Sequence, residues 1–257
     1  MAGNNDGSWK NNSRGMTMKV FLRVVLVVGL GLLLFGCGKK AGIEGKVVDG
    51  KGQPMSGMKV IANQVKPIKG YEQFETTTGS DGTFRFKGLF PTSEYMISPR
   101  SDKWKTSAKV TEQSGPEGQT SMLRAPIMIR FTVSNEGIID DSKETGLQWA
   151  PAPDQRMNWF QADDYARNLK LGGGGWRLPT RTELRSIYDK SMSGCADPAF
   201  HVKKNWVWTS EASGSSSAWY FFFAEGGAYS NNRESSSLFA YPESKYDGRV
   251  LAVRSRR

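Results

Sequence analysis

The sequence predicts a β-sandwich followed by an α+β domain, and three observations carry that reading. Residues 43–133 repeat short alternating strands between turn signals, the pattern of an antiparallel sandwich. Residues 172–188, GGGGWRLPTRTELRSIY, pass from a glycine run straight into a capped helix. Short aromatic strands then follow, separated by Ser, Gly and Asn loops, as at 205–210 and 218–223. With 257 residues the chain is long enough for two domains, each with its own core.

Residues 1–15 are polar and offer little to pack, so Met16 or Met18 is the expected natural start. Lys19 and Arg23 lead into the apolar run 24–35, VVLVVGLGLLLF, which has the length and flanks of a signal peptide. It falls short of the roughly 20 residues that a transmembrane helix needs. The run ends Leu34-Phe35-Gly36-Cys37, which resembles the lipobox of bacterial lipoproteins, although Phe35 departs from the usual small or aliphatic residue. A plain N-terminal anchor with an incidental cysteine is the alternative. The resemblance implies a signal peptide over 1–36, an acylated Cys37 and a tether over 37–42. Acyl chains on Cys37 would pass the two-signal threshold for stable attachment to a membrane. Gly38 rather than Asp follows, which implies the outer membrane wherever the envelope has two.

The sandwich is read over 43–133. The stretch from Ile43 to Asp49 alternates loosely, and Gly50-Lys51-Gly52-Gln53-Pro54 is a turn. Val60-Ile61 opens a second strand, and Ser80-Asp81-Gly82 turns into the alternating Thr83-Phe84-Arg85-Phe86. Tyr95 and Ile97 lie on another strand, 112–118 is a polar loop, and 122–133 is the last β-rich segment. Two stretches carry a resemblance. Gly45-x-Val47-x-Asp49 with Gly52-x-Pro54-x-x-Gly57-x-x-Val60 is similar to the opening of carboxypeptidase regulatory-like domains. Asp81-Gly82-x-Phe84-x-Phe86-x-x-Leu89-x-Pro91-x-x-Tyr95-x-Ile97 is similar to their second signature. The resemblance implies a small transthyretin-like sandwich serving as an accessory module, without catalysis.

In 134–257, Asp140 to Leu147 reads as two strands around a turn. Asn158 and Gln161 suit a helix cap, with Ala162, Tyr165, Ala166 and Leu169 at helical spacing behind them. Thr180 and Glu183 have capping-box spacing, and Leu184, Ile187 and Tyr188 give the next helix one apolar face. Trp176 is expected to be buried, Leu178-Pro179 to lead into the helix, and Arg177 to pin neighbouring strands through its fork of donors. Arg249 to Arg254 forms the closing strand. The ordered set Thr145-Gly146-Leu147-x-Trp149, Trp159 to Tyr165, Trp176 to Leu184, Trp208-Thr209-Ser210 and Val253-Arg254 resembles the Lcl C-terminal domain family. That resemblance implies a compact α+β fold similar to C-type lectins and formylglycine-generating enzymes. Many relatives have cysteines where Ala166 and Ala252 stand here, which implies a lost disulfide replaced by small-residue packing.

Charge is uneven: 15 basic against 9 acidic residues in 37–133, and 16 against 15 in 134–257. The basic excess suits an anionic surface or is simply a solvated face, and nothing marks a nucleic-acid arm. His201 is the single histidine and is expected at the surface or core edge. Cys195 is expected to be a buried thiol, although an odd cysteine could instead cross-link subunits. The paired copper-binding cysteines that the oxidase resemblance would require are absent from 134–257, so no enzyme activity, cofactor or metal is expected. The pairs Asp140-Asp141 and Asp163-Asp164 are expected to be solvated. Trp206, Trp208 and Trp219 either stack on sugars or fill the core. The candidate ligand-binding residues are Tyr229, Asn231, Asn232, Arg233, Tyr241 and Tyr246, in and before a loop without apolar periodicity. The expected function is a non-enzymatic envelope module binding glycan or another anionic surface ligand, or alternatively an assembly lipoprotein holding an envelope protein.

Overall fold

The computed structural model describes residues 40–236 and 247–256; the expected signal peptide, Cys37, Tyr241 and Tyr246 lie outside them. The first half supplies β1 (Ala41–Asp49), β2 (Lys59–Gln64), β3 (Gln73–Thr77), β4 (Thr83–Leu89), β5 (Glu94–Arg100), β6 (Trp104–Lys105), β7 (Val110–Gln113), β8 (Thr120–Met122) and β9 (Ile127–Ile129). In one sheet β1 pairs antiparallel with β4 and parallel with both β8 and β9. The other sheet has the order β3-β2-β5-β7. Alternation dictates which side chains go inside. In β4, Phe84 and Phe86 are buried while Thr83, Arg85 and Lys87 face out. The core between the sheets joins Ile43, Val47, Val60, Phe86, Tyr95 and Ile97. Tyr95 stays buried because its hydroxyl accepts from the Phe90 N–H at 3.1 Å.

The second half supplies β10 (Thr132–Ser134), β11 (Ile139–Asp141), β12 (Leu147–Ala150), helix α1 (Trp159–Asn168), helix α2 (Arg181–Ser186), β13 (Trp206–Ala212), β14 (Ser217–Phe222), β15 (Gly227–Asn232), β16 (Gly248–Arg249) and β17 (Ala252–Ser255). A curled pair of sheets results, with orders β17-β12-β11-β10-β6 and β15-β14-β13-β16. Period-two alternation divides the core. Val207 and Phe221 meet Leu184 and Ile187 from α2 and the residue after it, whereas Trp206, Trp208 and Tyr220 meet Ala162 and Ala166 of α1. Ala166 and Ala252, expected to replace a disulfide by packing, are both buried in that second cluster.

Four local differences from the sequence reading have physical causes. The closing stretch is not one strand: Val250 and Leu251 are fully buried, one in each cluster, as the chain crosses from β16 to β17. Glu112 and Gln113 belong to the edge strand β7 rather than to a loop. The 122–133 segment is broken among β8, β9 and β10, with Pro126 between the first two. The two-residue β6 was not foreseen; it leaves the sandwich to pair with β10, Lys105 opposite Val133 and Trp104 opposite Ser134.

Candidate functional site

The glycine run makes a corner that few other residues could adopt. Gly172, Gly173, Gly174 and Gly175 all have positive φ, between 51° and 89°. A Cβ on Gly172 would lie 2.5 Å from Ile138 Cδ1. The guanidinium of Arg254, on β17, fills the corner. Its Nη1 donates to the carbonyls of Gly172 and Gly174, each at 2.8 Å, and its Cζ lies 4.3 Å from the centre of the Trp176 ring. Trp176 is buried and donates Nε1–H to the Leu171 carbonyl at 2.8 Å. Leu178 is fully buried, and the Pro179 carbonyl accepts from the Ser210 N–H at 2.9 Å.

Arg177 acts differently from expectation. Its backbone bridges to Val253, but its guanidinium does not reach across strands. It closes instead on Glu183 of the adjoining helix, with Nη1 and Nη2 at 2.9 and 2.6 Å from the carboxylate oxygens. Thr180 and Glu183 form the expected capping box, the Thr180 N–H donating to Glu183 at 2.7 Å and the Glu183 N–H to the Thr180 hydroxyl at 3.2 Å. Partial burial raises the Glu183 pKa, but the Arg177 guanidinium and the Thr180 donors outweigh it and hold the carboxyl below its ordinary value. The polar groups of Arg177, Thr180 and Glu183 are thus engaged with one another within the fold.

The aromatic candidates separate into core and surface. Trp206 and Trp208 are fully buried and so cannot stack on a sugar. Trp219 is half-buried beneath the Arg181 guanidinium, 4.4 Å from its ring centre. Tyr220 is buried, and desolvation pushes its hydroxyl pKa up to about 12. Tyr229 is exposed on the edge strand β15, where its hydroxyl donates to Glu225 at 2.7 Å. Asn231 and Asn232 end the same strand, Asn232 accepting from the Glu234 N–H at 2.8 Å. Arg233 lies over the Trp159 ring at 4.8 Å and donates to the Ser217 carbonyl at 3.3 Å, so it ties β14 to α1.

Other singled-out residues have ordinary places. His201 is exposed, and Cys195 is a buried free thiol. Asp163 pairs with Arg167 on the surface of α1 at 2.8 Å. Asp141, expected to be solvated, is only 1% exposed: Arg130 grips both of its oxygens at 3.1 Å and the Thr145 hydroxyl donates at 2.9 Å. Among the described residues, no three His, Cys, Asp or Glu side chains stand together in a way that could hold a metal ion.

A cleft of about 1000 Å³ opens where the two halves meet. Residues 106–112 and 123–128 wall it on the sandwich side, and Ile187, Asp189, Met192, Asp197 and Pro198 on the other. Its wall mixes apolar side chains with polar and charged ones, and the two methionines in it are exposed, Met128 by 54% and Met192 by 39%. Lys109 and Arg124 are its exposed cations. Two hydrogen bonds join its sides: Arg130 donates to the Ser186 carbonyl at 2.8 Å and the Ser107 hydroxyl donates to Asp197. The sequence reading missed this cleft. Its one visible trace was Met128 standing outward between the buried Ile127 and Ile129.

The family comparisons agree with the residue patterns. Residues 42–125 match the carboxypeptidase regulatory-like domain, and residues 137–241 match the Lcl C-terminal domain. No curated protein matches the chain. Among solved structures, the chain is similar in part to the major pilin SpaD of Corynebacterium diphtheriae, at 15% identity over 35% of this chain and 30% of that one, with TM-score 0.27. It is also similar to a DUF3823 family protein from Parabacteroides merdae, at 20% identity over 44% and 56%, with TM-score 0.29. A fragment of the pilus adhesin SpaC from Lactobacillus rhamnosus GG matches at 18% identity over 31% and 30%, with TM-score 0.24. The chain spans less than a third of the two pilus structures.

Proposed function

We propose that this chain is an envelope lipoprotein, anchored through an acylated Cys37, whose two domains form a non-enzymatic binding module. In a two-membrane envelope its place is the outer membrane. The observation that carries the binding reading is the cleft of about 1000 Å³ between the domains, within the usual size of ligand sites. Its lining favours a protein segment over a glycan. Aliphatic and methionine side chains adapt to apolar peptide groups, and the one ring in the wall, Phe131, is 9% exposed. A glycan would instead have to meet Tyr229 and Asn232 on the exposed edge of β15, which is the second reading.

A photoreactive side chain at Met128 in living cells separates the two. We expect a discrete crosslinked envelope protein, lost when Ala108 in the wall is replaced by Trp, with no glycan-array signal from the same purified protein. Array binding abolished by Tyr229→Ala, together with no crosslink from position 128, would establish the glycan reading instead. Anchoring is read separately: Cys37→Ser should move the protein out of the acylated membrane fraction.

A further inference from the structure

We infer that the loop 65–71 and Phe90 form a bilayer-contacting foot, which seats the sandwich on the phospholipid surface beside its anchor. The patch is apolar where a surface loop need not be: Val65 is 48% exposed, Ile68 38% and Phe90 37%. Lys66 and Lys69 flank Ile68, and both are exposed. Isolated exposed hydrophobics are ordinary, but these belong to one connected structure. The Tyr71 ring packs edge-on against Phe90, with centroids 5.2 Å apart.

The loop is held rigidly, so its apolar tips are presented to solvent by construction. The Ile68 N–H donates to the Gln64 side chain at 2.7 Å, the Tyr71 N–H to the Ile68 carbonyl at 2.9 Å, and the Val65 N–H to the Glu94 carbonyl at 2.9 Å. The nearby carboxylates are Glu72, Glu94 and Glu117. All three are exposed; Glu72 is engaged by the Gly70 N–H, which donates to it at 2.8 Å, while Lys66 and Lys69 stand on either side of Ile68.

What identifies the occupant is where the chain comes in. Lys40 Nζ lies 5.6 Å from the centre of the Tyr71 ring, and Lys40 follows Cys37 by three residues. Three residues span at most about 10 Å of extended chain, so an acylated Cys37 cannot hold this patch far from the lipid headgroups. Apolar tips between lysines are what an interfacial contact uses: the tips enter the headgroup boundary and the ammonium groups meet lipid phosphates. The inference rests on the anchoring part of the proposed function and is independent of the cleft.

The test uses the full-length acylated protein in vesicles of phosphatidylethanolamine and phosphatidylglycerol. Flotation reads anchoring. An environment-sensitive fluorophore on Ile68→Cys reads the foot, with Phe160→Cys, on the exposed surface of α1, as the comparison. Brominated acyl chains should quench the position-68 label by about twofold, as burial near the headgroup boundary requires, and leave the position-160 label unchanged. Floating protein whose two labels behave alike would overturn the foot and leave the anchor standing. Protein that fails to float would overturn both.

Discussion

At the scale of single residues, the motif at 172–188 shows how the recognisable residues of a sequence, Trp176, Arg177, Thr180 and Glu183 among them, can be engaged in structure. Its capping box was legible because Thr180 and Glu183 are three apart, and local spacing fixes which donor meets which acceptor. The role of Arg254 was not legible. Its partners are backbone carbonyls 80 or more positions away, and every residue type presents the same carbonyl. Asp141 hid for a similar reason, since only the folded chain brings Arg130 to both of its oxygens. Glu183 gives a pH-dependent consequence. Its folded pKa is lowered, so the stability it supplies is present above the unfolded value near 4.5 and is lost as pH falls through the folded one. Glu183→Gln keeps a side chain able to cap the helix but removes that titration. Urea midpoints measured from pH 7 downward should therefore show the native protein ahead at neutral pH. The gap to Glu183→Gln should close below pH 4.5, and parallel curves would refute the assignment.

At the scale of elements, helices were easier to read than short strands. Helix α1 announces itself through Asn158 and Gln161, which satisfy each other's backbone N–H groups at 2.9 and 3.0 Å. Asn158→Ala should cost about 1 kcal/mol of unfolding free energy, and Asn158→Asp should recover most of it in chemical denaturation. Strand β6 carries no such signal. Two residues cannot show a period, and its partners Val133 and Ser134 lie far along the chain. The closing strand was over-read because RVLAVR is apolar enough for one strand, whereas Val250 and Leu251 are buried in different clusters and the chain must turn between them. Both family resemblances, by contrast, rested on glycines, prolines and aromatics whose positions are fixed by turns and core faces within each domain.

At the scale of the whole molecule, the cleft was invisible in the sequence because a cavity is a relation between surfaces and not a property of either one. Its walls come from segments whose residues look like ordinary edge-strand and loop positions until β6 and the Arg130 contacts set the halves against each other. The parallel pairing of β1 with β9 has a mechanical consequence. With the proposed anchor at Cys37, force would arrive at the start of β1, and a load on the second domain would be passed back through the end of β9. Parallel strands pulled from opposite ends are sheared, so their hydrogen bonds resist together. Ala41 and Leu89, by contrast, are opposite each other on antiparallel strands, and pulling there would unzip the pairs one by one. In an optical trap, handles at residues 40 and 130 should therefore yield at a distinctly higher force than handles at 40 and 90. Equal rupture forces would mean that the sheet is not the tension-bearing part of the tether.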